Sequence, residues 1–331
     1  MKAILMTAIG DSDVLNEQEI AEPTLTKATE IKVRLHGAGV NPVDTKIRKG
    51  GLLYPNAQLP AVLGCDGAGE VVEIGESVTN FKIGDKVWFC NGGLGREQGN
   101  YAEFTVIEQR WASVMPQSIS FENAAAAPLV LITAWGALFE RGLLQAGQTV
   151  LIHAGAGGVG HVAIQLAKIA GSRVIATVSS NEKADFVKSL GADDIIFYNQ
   201  TNVAQKINDL TNNRGADLVL DTVGIDVFKA SIPCTAHFGQ LVTLLDASNL
   251  DLNEARMRNL SIGFELMLTP MLRDLDSERT KHVSLLKKCA EYIDAGKLKI
   301  HVSHVFRLSE SKAAHDLIEL GHTMGKIVLS I

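Results

Sequence analysis

Residues 150–160 read Val-Leu-Ile-His-Ala-Gly-Ala-Gly-Gly-Val-Gly, an apolar run that leads directly into a cluster of glycines. Its first four residues have the composition of a short buried strand, and the glycines follow at once. The next segment carries apolar residues at the spacing of one helix face: Val159, Val162, Ala163, Leu166 and Ile169. The sequence therefore predicts a strand, a glycine-rich turn and a helix in immediate succession.

The glycines of this turn fit the pattern G-x-G-x-x-G. Gly155 permits the tight turn, Gly157 lets the backbone approach a pyrophosphate, and Gly160 lets the helix pack on the strand. At the start of the helix, Gly158 and Val159 offer unpaired N–H groups and a positive partial charge to phosphates. An ordinary glycine-rich turn is the alternative, but the strand before it and the helix after it favour dinucleotide binding.

Length and composition favour a two-domain globular protein of 331 residues, with 46% hydrophobic and 21% charged residues. A net charge of −6 argues against a nucleic acid as partner. The N-terminal apolar run is too short for a signal peptide, and no uncharged apolar run is long enough to span a bilayer, so we expect a cytoplasmic protein. Four scattered cysteines without a C-x-x-C pair indicate neither a disulfide framework nor a structural zinc module.

The order of predicted elements separates the chain into two kinds of structure. Residues 1 to about 120 contain short β-rich runs punctuated by turns, which predicts a partly closed barrel. From residue 150 onward strands and helices alternate, with strands predicted at 150–153, 173–178, 194–198, 218–221, 240–245 and 260–266. This alternation predicts an α/β fold with a doubly wound parallel sheet. Because strands at 301–307 and 326–331 fit no seventh position in that sheet, we expect the tail to return to the first domain.

The end of the second strand distinguishes NAD from NADP. An NAD site usually carries Asp or Glu there, about 20 residues after the glycines, where it binds the ribose 2′-hydroxyl. Here the sequence has Ser179 and Ser180, with Lys183 one turn into the next helix. Hydroxyls and a lysine bind a 2′-phosphate, whereas a carboxylate repels it, so we predict NADP (NADPH) as the cofactor. Two alternatives stay open: Ser180 caps a helix beside a solvated Lys183, or Glu182 takes the ribose role.

Further motifs indicate a family, namely Gly-Val-Asn-Pro-Val-Asp-Thr-Lys at 39–46, Leu-Gly-Cys-Asp-Gly-Ala-Gly-Glu-Val at 63–71, Phe-Lys-Ile-Gly-Asp-Lys-Val at 81–87, and Ala-Ile-Gln-Leu-Ala-Lys at 163–168. With the glycine turn they make the chain resemble the medium-chain dehydrogenase/reductase superfamily, in its zinc-independent quinone oxidoreductase branch. The resemblance implies a discontinuous GroES-like β-rich catalytic domain from residues 1–122 and 297–331, and a Rossmann domain from residues 123–296. It also implies a homodimer joined through Rossmann edge strands, here at 260–268.

The same comparison argues against a metal. Zinc-dependent relatives have a cysteine ligand in the segment that matches 39–44 and a His-Glu pair after the glycine that matches Gly64. This chain has Asn41 in the first segment and Cys65 and Asp66 in the second. A catalytic zinc needs three protein ligands, and nothing nearby completes a set, so we predict no metal.

The resemblance also nominates residues for the reaction. Asn41 is placed beside the nicotinamide and the substrate, where it donates to a carbonyl oxygen or merely holds the Asn-Pro turn. Tyr54 is placed at the substrate pocket, as a proton donor or as its wall. Asp44 forms either a polar relay or a surface ion pair with Lys46.

Two more residues are predicted at the cofactor. Thr133 matches a position near the nicotinamide, and Tyr198, after the third strand, is expected at the adenine end. Without a Lewis acid the acceptor must take hydride readily, which favours quinones and α,β-unsaturated carbonyl compounds. The alternative function is an NADPH-binding protein with a structural, sensory or nucleic-acid-binding role and little turnover.

Overall fold

The chain forms two compact units in the computed structural model, which describes residues 1–246, 248 and 250–331. The first unit comprises Met1–Leu129, Leu268–Gly296 and Ile300–Ile331, and the second comprises Val130–Met267 and Lys297–Lys299. The predicted domains differ from this division in three places, one of which is that residues 297–299 group with the second unit. The first segment ends at residue 129 rather than 122, and residues 268–296 group with the first unit.

The N-terminal part of the first unit is built from short strands. They are β1 (Lys2–Met6), β2 (Leu15–Glu19), β3 (Glu30–Val40), β4 (Ala61–Val62), β5 (Asp66–Ile74), β6 (Lys86–Cys90), β7 (Phe104–Glu108) and β8 (Ser113–Val114). Two helices lie among and after them, α1 (Pro42–Gly50) and α2 (Phe121–Ala125). The Ser120 hydroxyl caps α2 by accepting a hydrogen bond from the Asn123 N–H. Helix α3 (Pro128–Trp135) leads into the second unit and continues as a π-helix over Gly136–Arg141.

The second unit contains one six-stranded parallel sheet. Its strands are β9 (Thr149–Ile152), β10 (Arg173–Val178), β11 (Asp194–Phe197), β12 (Ala216–Asp221), β13 (Thr235–Thr243) and β14 (Ser261–Phe264). The helices between them are α4 (Gly158–Ile169), α5 (Asn181–Ser189), α6 (Val203–Leu210), α7 (Ile225–Ser231) and α8 (Asn253–Met257). The strand order β11-β10-β9-β12-β13-β14 reverses direction at β9, which confirms the doubly wound Rossmann sheet.

The core of this sheet explains why its strands read as continuous apolar runs. Leu151, Ile175, Ile196, Val219 and Leu241 are fully or almost fully buried in one cluster. Parallel strands covered by helices on both faces expose neither side to water, so their sequences do not alternate.

The C-terminal residues return to the first unit, as expected. They form α9 (Thr269–Leu272), α10 (Asp276–Asp294), β15 (Val302–Arg307), α11 (Ser311–Leu320) and β16 (Lys326–Ser330). Strand β16 pairs antiparallel with β3, which completes a seven-stranded sheet in the order β15-β16-β3-β5-β6-β8, with β7 also paired to β3. A separate sheet has the order β2-β1-β4.

None of the helices in the described part of the chain has the length and apolar character that a membrane crossing requires.

Candidate functional site

The glycine turn lies between the end of β9 and the start of α4. Gly157 is the residue that caps α4, and its N–H donates to the Ala154 carbonyl at 2.9 Å. A Cβ on Gly160 would lie 2.4 Å from that carbonyl oxygen, and one on Gly155 would lie 2.9 Å from the Cβ of Ala176. These two positions therefore accept only glycine without a shift of their surroundings.

This turn fits a dinucleotide pyrophosphate. Beside Gly157 the space that a Cβ would fill meets only the Ala154 oxygen, at 3.2 Å. Gly158, Val159 and Gly160 form the first turn of α4, where backbone N–H groups lack intrahelical acceptors and the helix dipole is positive. The predicted phosphate-binding residues thus lie together at one helix N-terminus.

The residues predicted to select the 2′-phosphate lie just beyond β10. Ser180 caps α5, because its hydroxyl oxygen accepts a hydrogen bond from the Lys183 N–H at 3.3 Å. That contact leaves the hydroxyl hydrogen available as a donor, so capping and phosphate binding are compatible. Ser179 accepts a bond from the Asn199 amide at its carbonyl oxygen, which leaves its hydroxyl unused by that contact. Lys183 forms no ion pair with any residue that the structure describes, and Glu182 is exposed.

The two other predicted cofactor residues also belong to the second unit. Tyr198 directly follows β11, its backbone N–H donates to the Val178 carbonyl at 3.2 Å, and its side chain is exposed. Thr133 lies in α3 and is buried.

Asn41 and Asp44 lie together in a buried polar cluster of the first unit. Asn41 precedes α1, and its N–H donates to Asp44 Oδ2 at 2.9 Å. Its side-chain Nδ2 donates to Asp66 Oδ2 at 2.9 Å, while the Lys326 ammonium donates to Asn41 Oδ1 and, at 3.1 Å, to the Val40 carbonyl. All four side chains are buried or fully buried. The amide of Asn41 is therefore held on both sides, by a carboxylate and by an ammonium.

Burial controls the ionisation of this cluster. It raises the pKa of Asp44 to about 7 and the pKa of Asp66 to about 6, because both carboxyl groups have left water entirely. Burial also lowers the pKa of Lys326, which the two carboxylates partly offset. Asp44 Oδ1 has no hydrogen-bond partner among the residues that the structure describes. A carboxyl group with a pKa near neutrality and an unpaired oxygen is able to hold a proton there.

A chain of donors ends on the other oxygen of Asp44. Arg48 Nη1 lies 3.4 Å from His315 Nδ1, the Tyr101 hydroxyl lies 3.2 Å from His315 Nε2, and that hydroxyl donates to Asp44 Oδ2 at 3.0 Å. Arginine only donates, so His315 Nδ1 is the acceptor and its Nε2–H donates to Tyr101. Burial and Arg48 lower the pKa of His315 to about 3, in agreement with a neutral ring. Every hydrogen bond in this chain therefore points towards Asp44.

One of the predicted contacts does not form. Lys46 is exposed whereas Asp44 is fully buried, so the predicted relay or ion pair between them is wrong; the helix turns Lys46 to solvent and Asp44 to the core. Tyr54, which is predicted at the substrate pocket, makes its contacts with other residues of the first unit. Its hydroxyl donates to the Met271 carbonyl at 2.7 Å, and the Arg96 guanidinium lies over its ring at 4.5 Å.

The donor set of the buried cluster does not fit a zinc ion. Among the described residues, no three His, Cys, Asp or Glu side chains converge as metal ligands. Cys65 and Asp66 share this region with the Lys326 ammonium, whose positive charge opposes a second cation.

Several residues of these sites escape sequence reasoning. Lys326, Tyr101 and His315 come from distant parts of the chain, and only the position of Lys326 in the apolar segment Gly325–Ile331 gives a signal. In the second unit, Thr177 contacts the glycine turn from inside an apolar strand. A polar side chain within an apolar run is thus the signal that could have identified Lys326 and Thr177. Sequence reasoning had no comparable signal for Tyr101 and His315.

Comparison with known proteins gives consistent results over both units. A family model described as an alcohol dehydrogenase GroES-like domain matches residues 27–117, and one described as a zinc-binding dehydrogenase matches residues 190–329. A quinone oxidoreductase of Pseudomonas aeruginosa is 36% identical over 329 residues, which cover 99% of each chain. The NADPH-dependent alkenal/one oxidoreductase of Arabidopsis thaliana chloroplasts is 32% identical, over 99% of this chain and 79% of the relative.

Among solved structures, the Escherichia coli quinone oxidoreductase complexed with NADPH has a TM-score of 0.87 and 28% identity, with 100% of both chains covered.

Proposed function

Because the chain belongs to the medium-chain dehydrogenase/reductase superfamily, in its quinone oxidoreductase-like branch, we propose that it is an NADPH-dependent reductase of quinones or α,β-unsaturated carbonyl compounds. The observation that carries the proposal is the glycine turn before α4, where a Cβ on Gly155 or Gly160 would lie within 3 Å of neighbouring atoms. The relatives named for quinone and alkenal/one substrates support the two acceptor classes.

The cofactor is NADP(H) in this proposal. Gly155 to Gly160 would hold the pyrophosphate, and the Ser179 and Ser180 hydroxyls with the Lys183 ammonium would hold the 2′-phosphate. Thr133 and Tyr198 are proposed to contact the nicotinamide and adenine ends. When bound, NADPH supplies the hydride that reduces the acceptor.

The protein's own part in the reaction is to control charge and protons. Asn41 is fully buried, and its amide binds Asp66 and Lys326, which supports a positioning role rather than donation to the substrate. Asp44 is proposed to hold a proton at Oδ1, since its pKa lies near neutrality. Tyr54 is proposed as a wall of the substrate site, because its hydroxyl is already bound to a carbonyl. The proposed reductase is zinc-independent, since the donor set of the buried cluster does not fit the ion.

We also propose a homodimer that pairs through β14. This strand is an edge of the sheet, and Phe264 and Leu266 expose more than half of their surface. Edge strands with exposed apolar residues are sites of pairing with another chain. A cytoplasmic location stays a prediction from the sequence.

The acceptor proposal is tested by following loss of NADPH absorbance in the presence of a panel of quinones, enals and enones. We expect oxidation of NADPH with at least one acceptor of these classes. Tight NADPH binding with no turnover on any of them would contradict the proposal and favour the binding-protein alternative.

The cofactor proposal is tested with Lys183→Glu. The new carboxylate repels the 2′-phosphate, so we expect the KM for NADPH to rise by roughly tenfold or more while the KM for NADH changes little. Lys188→Glu makes the same charge change at an exposed position of α5 and serves as the control. Equal effects of Lys183→Glu on both cofactors would remove the 2′-phosphate assignment.

A further inference from the structure

His153 lies between the end of β9 and the glycine turn, and the proposed reaction gives it no role. It is buried, and both ring nitrogens have partners: Nδ1 lies 3.3 Å from Thr177 Oγ1, and Nε2 lies 3.0 Å from Ser231 Oγ. These three side chains come from three separate segments of the second unit. The imidazole thus joins β10 and α7 directly beneath the turn.

The directions of these hydrogen bonds follow from the inventory of donors. The Ser231 hydroxyl donates its single hydrogen to the Val227 carbonyl at 2.7 Å, so it accepts from His153 Nε2–H. In the neutral ring Nδ1 is then the acceptor, and it takes the Thr177 hydroxyl hydrogen. Burial lowers the pKa of His153 to about 4, which keeps the ring neutral near pH 7.

With its hydrogen committed to His153, Thr177 Oγ1 is free to accept. It receives the Ala154 N–H at 3.1 Å, and the Thr177 carbonyl receives the Gly155 N–H at 3.0 Å. Thr177 therefore holds the first two residues of the turn. The neutral imidazole fixes the orientation of the hydroxyl that does so.

Ala154, whose N–H is held by this series of hydrogen bonds, sets the shape of the turn. Ala154 has φ +48°, in the left-handed region that residues other than glycine seldom adopt. Its carbonyl accepts the Gly157 N–H and lies against Gly160. A rotation of the peptide before Ala154 would therefore displace Gly157 and Gly160, which are proposed to bind the cofactor phosphates.

We propose that Thr177 and His153 are positioning residues for cofactor binding, which fix the phosphate-binding turn through the Ala154 N–H without touching the cofactor. The inference rests on the proposed function, because it needs a dinucleotide at the turn. It goes beyond that function by assigning the geometry of the turn to a hydrogen-bond chain that runs from the Ala154 N–H through Thr177 and His153 to Ser231.

The test is the affinity of the whole protein for NADP⁺, measured by isothermal titration calorimetry without an acceptor. Thr177→Val removes the hydroxyl at nearly constant volume and leaves the Ala154 N–H without an acceptor. We expect the Kd for NADP⁺ to rise roughly tenfold, the order expected from one lost buried hydrogen bond. Thr177→Ser keeps the hydroxyl and is expected to retain most of the affinity.

Two controls separate positioning from general damage. Thr235→Val is the matched control, since Thr235 is equally buried and its hydroxyl donates only to the Ser231 carbonyl. Adenosine 2′-monophosphate is the matched ligand, because it lacks the pyrophosphate. We expect Thr235→Val to bind NADP⁺ like the wild type and Thr177→Val to bind adenosine 2′-monophosphate like the wild type.

The proposal is overturned if Thr177→Val binds NADP⁺ as tightly as the wild type, or if it loses affinity for both ligands equally. Should Thr177→Val fail to fold, His153→Asn takes its place, since the shorter side chain cannot reach both hydroxyls. The same selective loss is then expected, and its absence would count against the proposal. Wild-type protein that binds NADP⁺ without turnover would contradict the proposed reductase but leave this inference intact.

Discussion

At the scale of single residues, the molecule is distinguished by ionisable side chains that are buried away from water. Asp44, Asp66 and Arg48 have no solvent exposure, and Lys326 has almost none. Removing an ion from water costs several kcal/mol unless partners replace the water, and here each group has at least one hydrogen-bonded partner. Forming such a cluster costs free energy, and the raised pKa values of Asp44 and Asp66 make its charge depend on pH.

Asp44→Asn is expected to change how the stability of the protein depends on pH. The pKa of Asp44 is about 7 when folded against a usual value of 3.8, so the native state binds the extra proton between these values. The contribution of Asp44 is thus most favourable at low pH and falls as pH rises from about 4 to about 7. Asparagine does not titrate. The free energy of unfolding of Asp44→Asn should therefore rise relative to that of the wild type as pH increases from about 4 to about 7, by up to about 4 kcal/mol.

Urea unfolding of both proteins at several pH values measures this effect. Asp13→Asn, at a carboxyl group that is 94% exposed, is the control and should show little such gain. A constant difference between Asp44→Asn and the wild type from pH 4 to pH 7.5 would contradict the raised pKa.

Sequence reasoning finds local pairs of residues and misses the distant ones. Asn41 and Asp44 are three residues apart at the start of a helix, so their contact follows from helix geometry. Lys326 meets Asn41 across 285 residues of chain, a contact that depends on which strand pairs with β3. No spacing rule supplies that pairing. For the same reason the Asp44–Lys46 pair is wrong: two residues along a helix point to different faces.

At the scale of elements, the strands and helices of the second unit are largely readable from the sequence. The predicted strand at 173–178 is β10 without change, whereas the strand predicted at 240–245 begins five residues earlier, at Thr235. The discrepancy has a local cause. Phe238 within β13 has φ +63° and is exposed, so the early part of this strand lacks the apolar run that marks the others.

The free edge of β14 is the element that tests the proposed dimer. The Glu265 N–H donates to the Thr243 carbonyl of β13. Successive residues of a strand direct their N–H groups to opposite edges, so those of Ile262 and Phe264 point away from β13, to the free edge. Phe264→Pro removes one of these outward donors without breaking a bond to β13. We expect light scattering to give the mass of one 35.5 kDa chain for Phe264→Pro and of two for the wild type.

Phe264→Val keeps both the N–H and an apolar side chain, and as the matched control it should stay dimeric. A dimeric Phe264→Pro, or a monomeric wild type, would contradict pairing through β14.

At the scale of the whole molecule, the two units differ in their construction and in the residues that are proposed to act in each. The second unit carries the glycine turn and the serine and lysine side chains proposed to bind NADP(H). The first unit carries the buried cluster around Asn41 and Asp44. The return of the tail to the first unit was predictable, because its strands had no place in the parallel sheet. The grouping of α10 with the first unit was not, since an amphipathic helix does not indicate which core it covers.

The proposed transfer of a hydride from NADPH to an electron-poor carbon or a quinone can be followed with an isotope label. It is tested most directly with NADPH that carries deuterium at the hydride position, in either configuration, together with an enone acceptor identified by the panel. Mass spectrometry of the reduced product should show deuterium on the β-carbon from one of the two labelled cofactors and none from the other. Product that carries no deuterium from either cofactor would contradict the account.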